Sequence, residues 1–259
     1  MSLSKDVNIV RITSGKREKL KDRIVREIPL TILVNDNELV TLQCSPDNLK
    51  YLAVGFLLSE GFIKKDARIK HINLNKRGWY IRIDLEGDLL SVKTLPFKRV
   101  IGSGCAGGVT FYRAINAQGC APLKSQIQYS REEISNLMRE LRERSLTFKN
   151  TGGVHFCALC SQKGIEVFAE DIGRHNAVDK VFGECFIRGI STQDKAVLTS
   201  GRVSSEILIK VAKRGVPIIA SRSAPTDLAV GLAEKLNLTL IGFARGRRMN
   251  IYTHNFRIK

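Results

Sequence analysis

The fold is decided by one stretch of the chain, Ala196-Val-Leu-Thr-Ser-Gly-Arg-Val-Ser-Ser-Glu-Ile-Leu-Ile-Lys-Val-Ala-Lys-Arg-Gly-Val-Pro-Ile-Ile-Ala220. A short apolar run opens it, a polar link leads into apolar residues at helical spacing, and a second apolar run follows Gly215 and Pro217. Glycine and proline mark helix ends, and short apolar runs are typical of buried strands. The stretch therefore predicts a strand–helix–strand unit.

The same alternation extends to both sides of that unit. Further strands are predicted at 164–169, 238–243 and 249–252, and further helices at 176–186 and 226–236. Ser130 and Glu133 form a capping box that predicts another helix, ending near Arg144. Strands and helices that alternate through short links indicate an α/β fold, with a largely parallel sheet covered by helices on both faces. We predict this layered α/β domain over residues 126–259.

The preceding part of the chain mixes strands and helices less regularly. Strands are predicted at 7–12, 30–34, 39–43, 71–75 and 79–85. Ser45 and Pro46 indicate the start of a helix that ends at Gly61. A glycine-rich stretch at 102–108 is followed by a helix or loop to about residue 117. We predict a smaller α+β domain over residues 1–125.

Composition narrows the class of partner. Lys and Arg number 42 against 25 Asp and Glu, a net charge of +17 that favours an anionic partner. The aromatic motifs and zinc-finger spacings of nucleic-acid-binding proteins are missing, so we expect no nucleic-acid partner. No apolar run approaches the roughly 20 residues of a membrane span, and the first residues lack an apolar signal region. We expect a cytoplasmic protein that makes no membrane contact and keeps its six cysteines reduced.

Polar links that contain glycine or arginine follow four of the predicted strands. These links are 170–176, 200–202, 221–226 and 245–248. Ligands of α/β sheets bind at the carboxyl ends of the strands, and helix N-termini attract anions there. The four links together predict a pocket for a phosphorylated ligand, although each link alone is also an ordinary turn. Arg174, His175 and Arg202 are candidates for holding that ligand, and Arg245, Arg247 and Arg248 match phosphate oxygens.

Cys105 is the candidate for sulfur chemistry. It lies in Gly102-Ser-Gly-Cys-Ala-Gly-Gly108, where glycines free the backbone and basic residues nearby favour the reactive thiolate. A small buried residue in a turn is the alternative, since free cysteines are commonly buried.

Two other pairs of residues suggest chemistry more weakly. Cys157 and Cys160 form a Cys-x-x-Cys pair, but the Glu and Pro that accompany zinc-binding cysteines in deaminases are absent. Two core cysteines are therefore favoured over a zinc site. His175 and Asp179 are four residues apart on one predicted helix, so Asp179 could fix the His175 tautomer for acid–base work, or the pair could be structural.

Taken in order, several of these segments resemble the FdhD family of sulfur carrier proteins, which are needed to make active formate dehydrogenase. The resemblance rests on six blocks that span nearly the whole chain: Leu52-Ala-Val-Gly-Phe-Leu-Leu-Ser-Glu-Gly-Phe62, Thr151-Gly-Gly-Val-His155, Glu170-Asp-Ile-Gly-Arg-His-Asn-Ala-Val-Asp-Lys180, Ser200-Gly-Arg202, Ser223-Ala-Pro225 and Gly242-Phe-Ala-Arg-Gly246.

The resemblance implies a sulfurtransferase. In that family a cysteine desulfurase passes sulfur to a loop cysteine as a persulfide, and the sulfur then goes to the molybdenum cofactor, a bis-molybdopterin guanine dinucleotide, for formate dehydrogenase. The loop cysteine corresponds to Cys105. The cofactor-binding stretch corresponds to Phe243, Ala244, Arg245, Gly246, Arg247 and Arg248. The family's fold is similar to that of cytidine deaminases, and no metal bound by the chain's own residues is expected.

One position departs from the family pattern. The family usually carries a Cys-x-x-Cys in this loop, whereas residue 108 here is glycine. We expect Cys105 to act alone, because persulfide exchange needs only one attacking thiolate. We also expect a homodimer. The alternatives are a chaperone that binds the same cofactor without sulfur chemistry, and a zinc-dependent deaminase-like hydrolase.

Overall fold

The computed structural model describes residues 2–64, 66–86 and 120–259, and the backbone alone at 98–101 and 109–112. Its first two strands form an antiparallel hairpin, β1 (Ser4–Thr13) and β2 (Lys16–Val25). A four-stranded sheet follows, in the order β4-β3-β6-β5, from β3 (Ile28–Val34), β4 (Asn37–Cys44), β5 (Ile69–Asn75) and β6 (Tyr80–Leu85). Helix α1 (Leu49–Glu60) packs its apolar residues against this sheet.

A second antiparallel hairpin flanks the glycine-rich stretch. Its strands are β7 (Lys98–Ile101) and β8 (Val109–Tyr112). The segment after the glycines therefore begins as a strand, where the sequence predicts a helix or loop. Cys105 itself lies outside the described residues.

The remaining elements build a six-stranded sheet, in the order β10-β9-β11-β12-β13-β14. Its strands are β9 (His155–Ser161), β10 (Gly164–Asp171), β11 (Ala196–Thr199), β12 (Ile218–Ser221), β13 (Thr239–Arg245) and β14 (Arg248–Ile251). Its helices are α2 (Arg131–Arg144), α3 (Leu146–Thr151), α4 (Arg174–Arg188), α5 (Ser205–Lys213) and α6 (Asp227–Lys235), and a short 3-10 turn (Asn255–Arg257) follows β14.

Helices cover both faces of this sheet, which confirms the predicted α/β class. Helices α4, α5 and α6 pack on one face against Leu159, Val197 and Ile219. Helix α2 packs on the other face against Ala158 and Leu198. Successive residues of a strand face opposite sides of the sheet, so the apolar residues of the strands contribute to two separate cores.

The sheet is mixed, so the prediction of a largely parallel sheet was wrong. Only the pairs β11–β12 and β12–β13 are parallel. The β9–β10, β9–β11 and β13–β14 pairs are antiparallel. Strand β9 was not predicted, because its buried interior contains none of the β-branched residues that are typical of strands and that β11 and β12 contain.

Two helices from distant parts of the chain cross at glycines. A Cβ atom at Gly55 of α1 would lie 1.8 Å from the carbonyl oxygen of Asp179 in α4. A Cβ atom at Gly183 of α4 would lie 1.9 Å from the carbonyl oxygen of Tyr51 in α1. Only glycine allows this approach, so the two residues fix where α1 meets α4.

The structure confirms the predicted cap of one helix and corrects the predicted cap of another. The Ser130 hydroxyl accepts a hydrogen bond from the Glu133 N–H at 3.0 Å, and the predicted capping box of α2 is confirmed. Ser45 does not cap α1, which begins at Leu49. Its N–H instead donates to the Asp171 carboxylate at 3.1 Å, and its hydroxyl accepts from the Ile172 N–H.

Candidate functional site

One edge of the six-stranded sheet gathers polar residues from several strands. β9 runs antiparallel to β11, so its first residue, His155, lies beside the carboxyl end of β11. Ser200 follows β11, Arg222 follows β12, and Arg245 ends β13. The predicted polar links therefore meet at one edge of the sheet, at the carboxyl ends of β11, β12 and β13, even though the sheet is mixed.

A cavity of about 430 Å³, here named the strand-end cavity, opens at this edge. Gly152 and Gly153, between α3 and β9, form part of its wall without side chains. Phe148 and Phe156 supply apolar surface, and their rings meet edge to face at 5.4 Å. Its polar lining comes from His155, Ser200, Arg222 and Arg245.

His155 is held by its neighbours in this cavity. Its Nδ1 lies 3.2 Å from the Ser200 hydroxyl, which also accepts the Phe156 N–H at 3.0 Å. Burial lowers the pKa of His155, and the positive charge of Arg174 lowers it further. The imidazole is therefore neutral at pH 7, which suits hydrogen bonding to a ligand better than ion pairing.

A bulge in β13 precedes the arginine-containing turn at this edge. The pairing between β13 and β14 shifts register between Gly242 and Arg245. Phe243, inside the bulge, has φ of 52°, a left-handed conformation that is rare for an aromatic residue. Its N–H donates to the Ser223 carbonyl at 3.1 Å. Such backbone outliers cluster at functional sites, where the surrounding structure enforces them.

A second cavity of about 650 Å³, here named the arginine groove, lies between α2 and the turn that joins β13 to β14. Arg222 and Arg245 line both cavities. The Arg245 Nε donates to the carbonyl oxygen of Arg222 at 2.7 Å. The groove is lined by six arginines: Arg131, Arg139, Arg142, Arg222, Arg245 and Arg247.

The predicted cofactor-binding residues divide into two groups. Ala244, Arg245, Gly246 and Arg247 line the arginine groove. Phe243 and Arg248 line neither of these two cavities, and the Arg248 guanidinium lies 5.8 Å from the centre of the Phe243 ring.

Arg174, Arg202 and His175 also lie outside the linings of both cavities. Arg174 and Arg202 are close enough to His155 to lower its pKa. His175 does not pair with Asp179, so the predicted His–Asp pair was wrong. Its Nε2 lies 3.0 Å from the Glu206 carboxylate of α5.

The block 170–180 holds two parts of the chain together. Asp171 pairs with the buried Lys180 at 2.8 Å, and Lys180 also donates to Asp47 at 2.7 Å. Asp179 accepts from the Ser59 hydroxyl and from Lys210, both at 2.6 Å. Burial alone would disfavour the charge of Lys180, but Asp171 and Asp47 outweigh it and raise the pKa of the lysine. Much of this block is therefore a structural joint.

The Cys-x-x-Cys pair cannot bind one ion from its place in β9. Cys157 lies in the core under α4, and Cys160 lies in the core under α2, on opposite faces of the sheet. Burial raises the pKa of both thiols, to about 12 for Cys160. Among the described residues no group of three or more His, Cys, Asp or Glu side chains is arranged to hold a metal ion.

Sequence reasoning missed the contribution of α2, and it included the link 221–226 without naming Arg222 as a candidate residue. Arg131, Arg139 and Arg142 are spaced so that they share one helix face, which lies beside the apolar stripe that contains Ile134 and Leu141. That spacing is visible in the sequence. It indicates a basic face, but it does not say that the face lies beside Arg245.

Comparisons with known proteins agree along nearly the whole chain. A family model described as the FdhD/NarQ family matches residues 25–259. The sulfur carrier protein FdhD of Bacillus subtilis (strain 168) is 43% identical over 253 residues, which cover 97% of this chain and 96% of that protein. The sulfur carrier protein FdhD of Staphylococcus aureus (strain MRSA252) is 43% identical over 260 residues, with 99% and 98% covered.

A solved structure is also similar. It is a crystal structure from Desulfotalea psychrophila, described as a formate dehydrogenase accessory protein. It is 29% identical, with a TM-score of 0.84 over 100% of both chains. Within the described residues, the helices are too short or too polar to cross a membrane.

Proposed function

Because the chain belongs to the FdhD/NarQ family, we propose that it is a sulfur carrier that serves formate dehydrogenase. A cysteine desulfurase supplies the sulfur, Cys105 carries it as a persulfide, and a bis-molybdopterin guanine dinucleotide receives it as substrate. The observation that carries the proposal is the pair of adjoining cavities that share Arg222 and Arg245. Guanidinium groups suit the phosphates of such a substrate.

The loading step is a thiol exchange. The Cys105 thiolate attacks the outer sulfur of the donor's persulfide, so a new S–S bond forms at Cys105. The donor's S–S bond breaks, and its cysteine leaves as a thiolate. The sulfur changes carrier without any external oxidant or reductant.

The environments of the other cysteines support Cys105 as the carrier. Cys44, Cys157, Cys160 and Cys185 are buried, and burial raises the pKa of each thiol. Thiols of this kind are neutral and inaccessible at pH 7, and both properties oppose attack. Cys120 is half-buried, so it is the appropriate comparison in an experiment.

Mass spectrometry of the protein after incubation with a cysteine desulfurase and cysteine tests the proposal. We expect the peptide that contains Cys105 to gain one sulfur atom and to lose it on reduction. A Cys105→Ala variant should gain no sulfur atom and should fail to activate formate dehydrogenase, whereas Cys120→Ala should retain both properties. Full labelling and activation by Cys105→Ala would refute the proposal and favour a cofactor-binding chaperone without sulfur chemistry.

A further inference from the structure

The hairpin of β1 and β2 has one strongly basic face. Alternate residues of a strand line one face, and in β2 four exposed basic residues do so, here named the basic row: Arg17, Lys19, Lys21 and Arg23. Arg23 is paired with Asp6 at 3.1 Å. Among the residues that the structure describes, no carboxylate forms an ion pair with the other three. Three positive charges therefore lie in line without a neutralising partner from the described chain.

The basic row also carries the free backbone edge of the hairpin. Ser14 and Gly15 have φ of 47° and 82°, as in the type I′ turn of a two-residue hairpin loop. In such a turn the Lys16 N–H donates to the Thr13 carbonyl, so it points toward β1. The direction alternates along the strand, so the N–H and C=O groups of the basic row point away from β1. Among the described strands β2 pairs only with β1, which leaves this edge unpaired.

The hairpin has little support from the rest of the described chain. Its root packs on the wall of the strand-end cavity, where a Cβ atom at Gly153 would lie 2.7 Å from the Val25 side chain. Farther out, Val10 and Ile12 are 49% and 63% exposed on the same face as the basic row. A two-stranded hairpin is at best marginally stable in water, and a third strand stabilises it.

Charge and edge together indicate what such a third strand would be. If its alternate residues are Asp or Glu, each carboxylate lies opposite one member of the basic row, because both strands repeat every two residues, or about 7 Å. A second copy of β2 would instead place one basic row against another. A nucleic acid would leave the edge carbonyls unpaired, and β1 and β2 contain no aromatic residue on which bases could stack.

We propose that the free edge of β2 binds an extended acidic segment of a partner protein as a third strand, with its acidic residues at alternate positions over the basic row. Main-chain hydrogen bonds supply the affinity, and the basic row selects the sequence. Val25 at the end of β2 lies against Gly153, which lines the strand-end cavity, so the partner is held beside that cavity. The docking site needs no sulfur chemistry, and its test is independent of the proposed function.

Fluorescence anisotropy on the full chain, with a labelled synthetic peptide in which Glu alternates with Thr and Val, tests this inference. We expect this peptide to bind. A peptide of the same composition with its Glu residues in one block should bind roughly 10-fold more weakly, since half of its carboxylates then face away from the basic row. This comparison holds the charge of the ligand constant, so a difference reports the strand geometry.

Backbone methylation tests the pairing itself. One version of the alternating peptide carries methyl groups on its Glu amides, and another carries them on its Thr and Val amides. Only one side of an added strand faces β2, so one version should lose binding and the other should keep it. Equal binding of the two versions would overturn the inference.

Lys19→Gln together with Lys21→Gln removes two charges of the basic row. Lys19 lies opposite Val10 and Lys21 lies opposite Asn8, so neither substitution breaks an ion pair across the hairpin. We expect the affinity for the alternating peptide to fall by roughly 10-fold, because two cross-strand charge pairs are lost.

Lys5→Gln together with Lys16→Gln is the matched control. It removes the same charge from the opposite face of the same hairpin, and the affinity should not change. An equal loss in the control and in the basic-row variant, or no binding by the unchanged protein, would overturn the inference. Release of the peptide by single-stranded RNA, or by a rising protein concentration, would indicate a nucleic acid or a second copy as the occupant, and either would also overturn it.

Discussion

Two lysines, Lys180 and Lys210, are buried with their charges intact. Lys180 is held by Asp47 and Asp171, and Lys210 is held by Asp179. Glu60 is also buried, and it lies 3.9 Å from Lys210. Loss of one partner from such a pair typically lowers the free energy of unfolding by about 3–5 kcal/mol, because the remaining charge is buried with neither a partner nor water around it. Three of these residues, Asp171, Asp179 and Lys180, lie in the block 170–180, so this block helps to specify how the elements meet.

The stability of the protein should depend on the protonation of Glu60. Burial raises the pKa of Glu60 to about 7, although Lys210 opposes the shift. Between its ordinary pKa and pH 7 the folded state keeps a proton that the unfolded state releases, so the contribution of Glu60 to stability falls as pH rises. The free energy of unfolding of Glu60→Gln, relative to that of the unchanged protein, should therefore rise by up to about 3 kcal/mol from pH 5 to pH 8.

Urea unfolding of both proteins at the two pH values measures this gain. Glu143→Gln, at an exposed carboxyl group of α2, serves as the control and should show no such trend. A difference in unfolding free energy between Glu60→Gln and the unchanged protein that stays constant from pH 5 to pH 8 would rule out the titration of Glu60.

At the scale of elements, the crossing of α1 and α4 depends on glycine. Gly55→Ala would place a methyl group against the Asp179 carbonyl, and the backbone cannot move without disturbing the Ser59 and Lys210 contacts. We expect a loss of about 3 kcal/mol or more, at the upper end for overpacked cores. Thermal and urea unfolding should both report it.

Gly231→Ala is the matched substitution in another helix. Gly231 lies in α6 with open space around the position of a Cβ atom, and alanine is favoured there by up to about 1 kcal/mol. This variant should be slightly more stable than the unchanged protein. Equal stability of Gly55→Ala and Gly231→Ala would contradict the close crossing.

Local patterns predicted some elements well and others poorly. The capping box, the strand–helix–strand unit and the final helix were all visible, because each has start and stop residues close together in sequence. Strand β9 was not visible, since its buried interior contains no β-branched residue, unlike the buried strands β11 and β12. The antiparallel pairs β9–β10 and β13–β14 were missed for a related reason: the pairing direction is set by contacts between strands and not by residues within one strand.

At the scale of the whole molecule, the rule that ligands bind at the carboxyl ends of strands predicted that the links 200–202, 221–226 and 245–248 lie at one edge of the sheet. It could not bring in α2, whose arginines lie far upstream in the sequence and meet Arg222 only through packing on the sheet. The His175–Asp179 pair failed in the opposite way. Helical spacing put the two residues on one face, but Glu206 and Lys210 of α5 supplied each of them with a different partner.

The proposed boundary between residues 125 and 126 separates Asp47 from Lys180 and α1 from α4. A segment 126–259 made alone would expose the Gly183 face of α4 and leave Lys180 with one of its two carboxylates. We expect it not to fold alone, and to fold when mixed with the segment 1–125. Circular dichroism of the separate and mixed segments measures whether they fold. If the isolated segment 126–259 were as stable as the full-length chain, this expectation would be contradicted.

The glycine crossing of α1 and α4 also affects how the midpoint of unfolding depends on protein concentration. If the chain is divided, the two segments become a binding pair, and the midpoint of unfolding should rise with their total concentration, as for any dimer. In the continuous chain the same contacts are intramolecular, so the association of α1 with α4 adds no dependence of the midpoint on concentration. The covalent link thus makes the association of α1 with α4 insensitive to dilution.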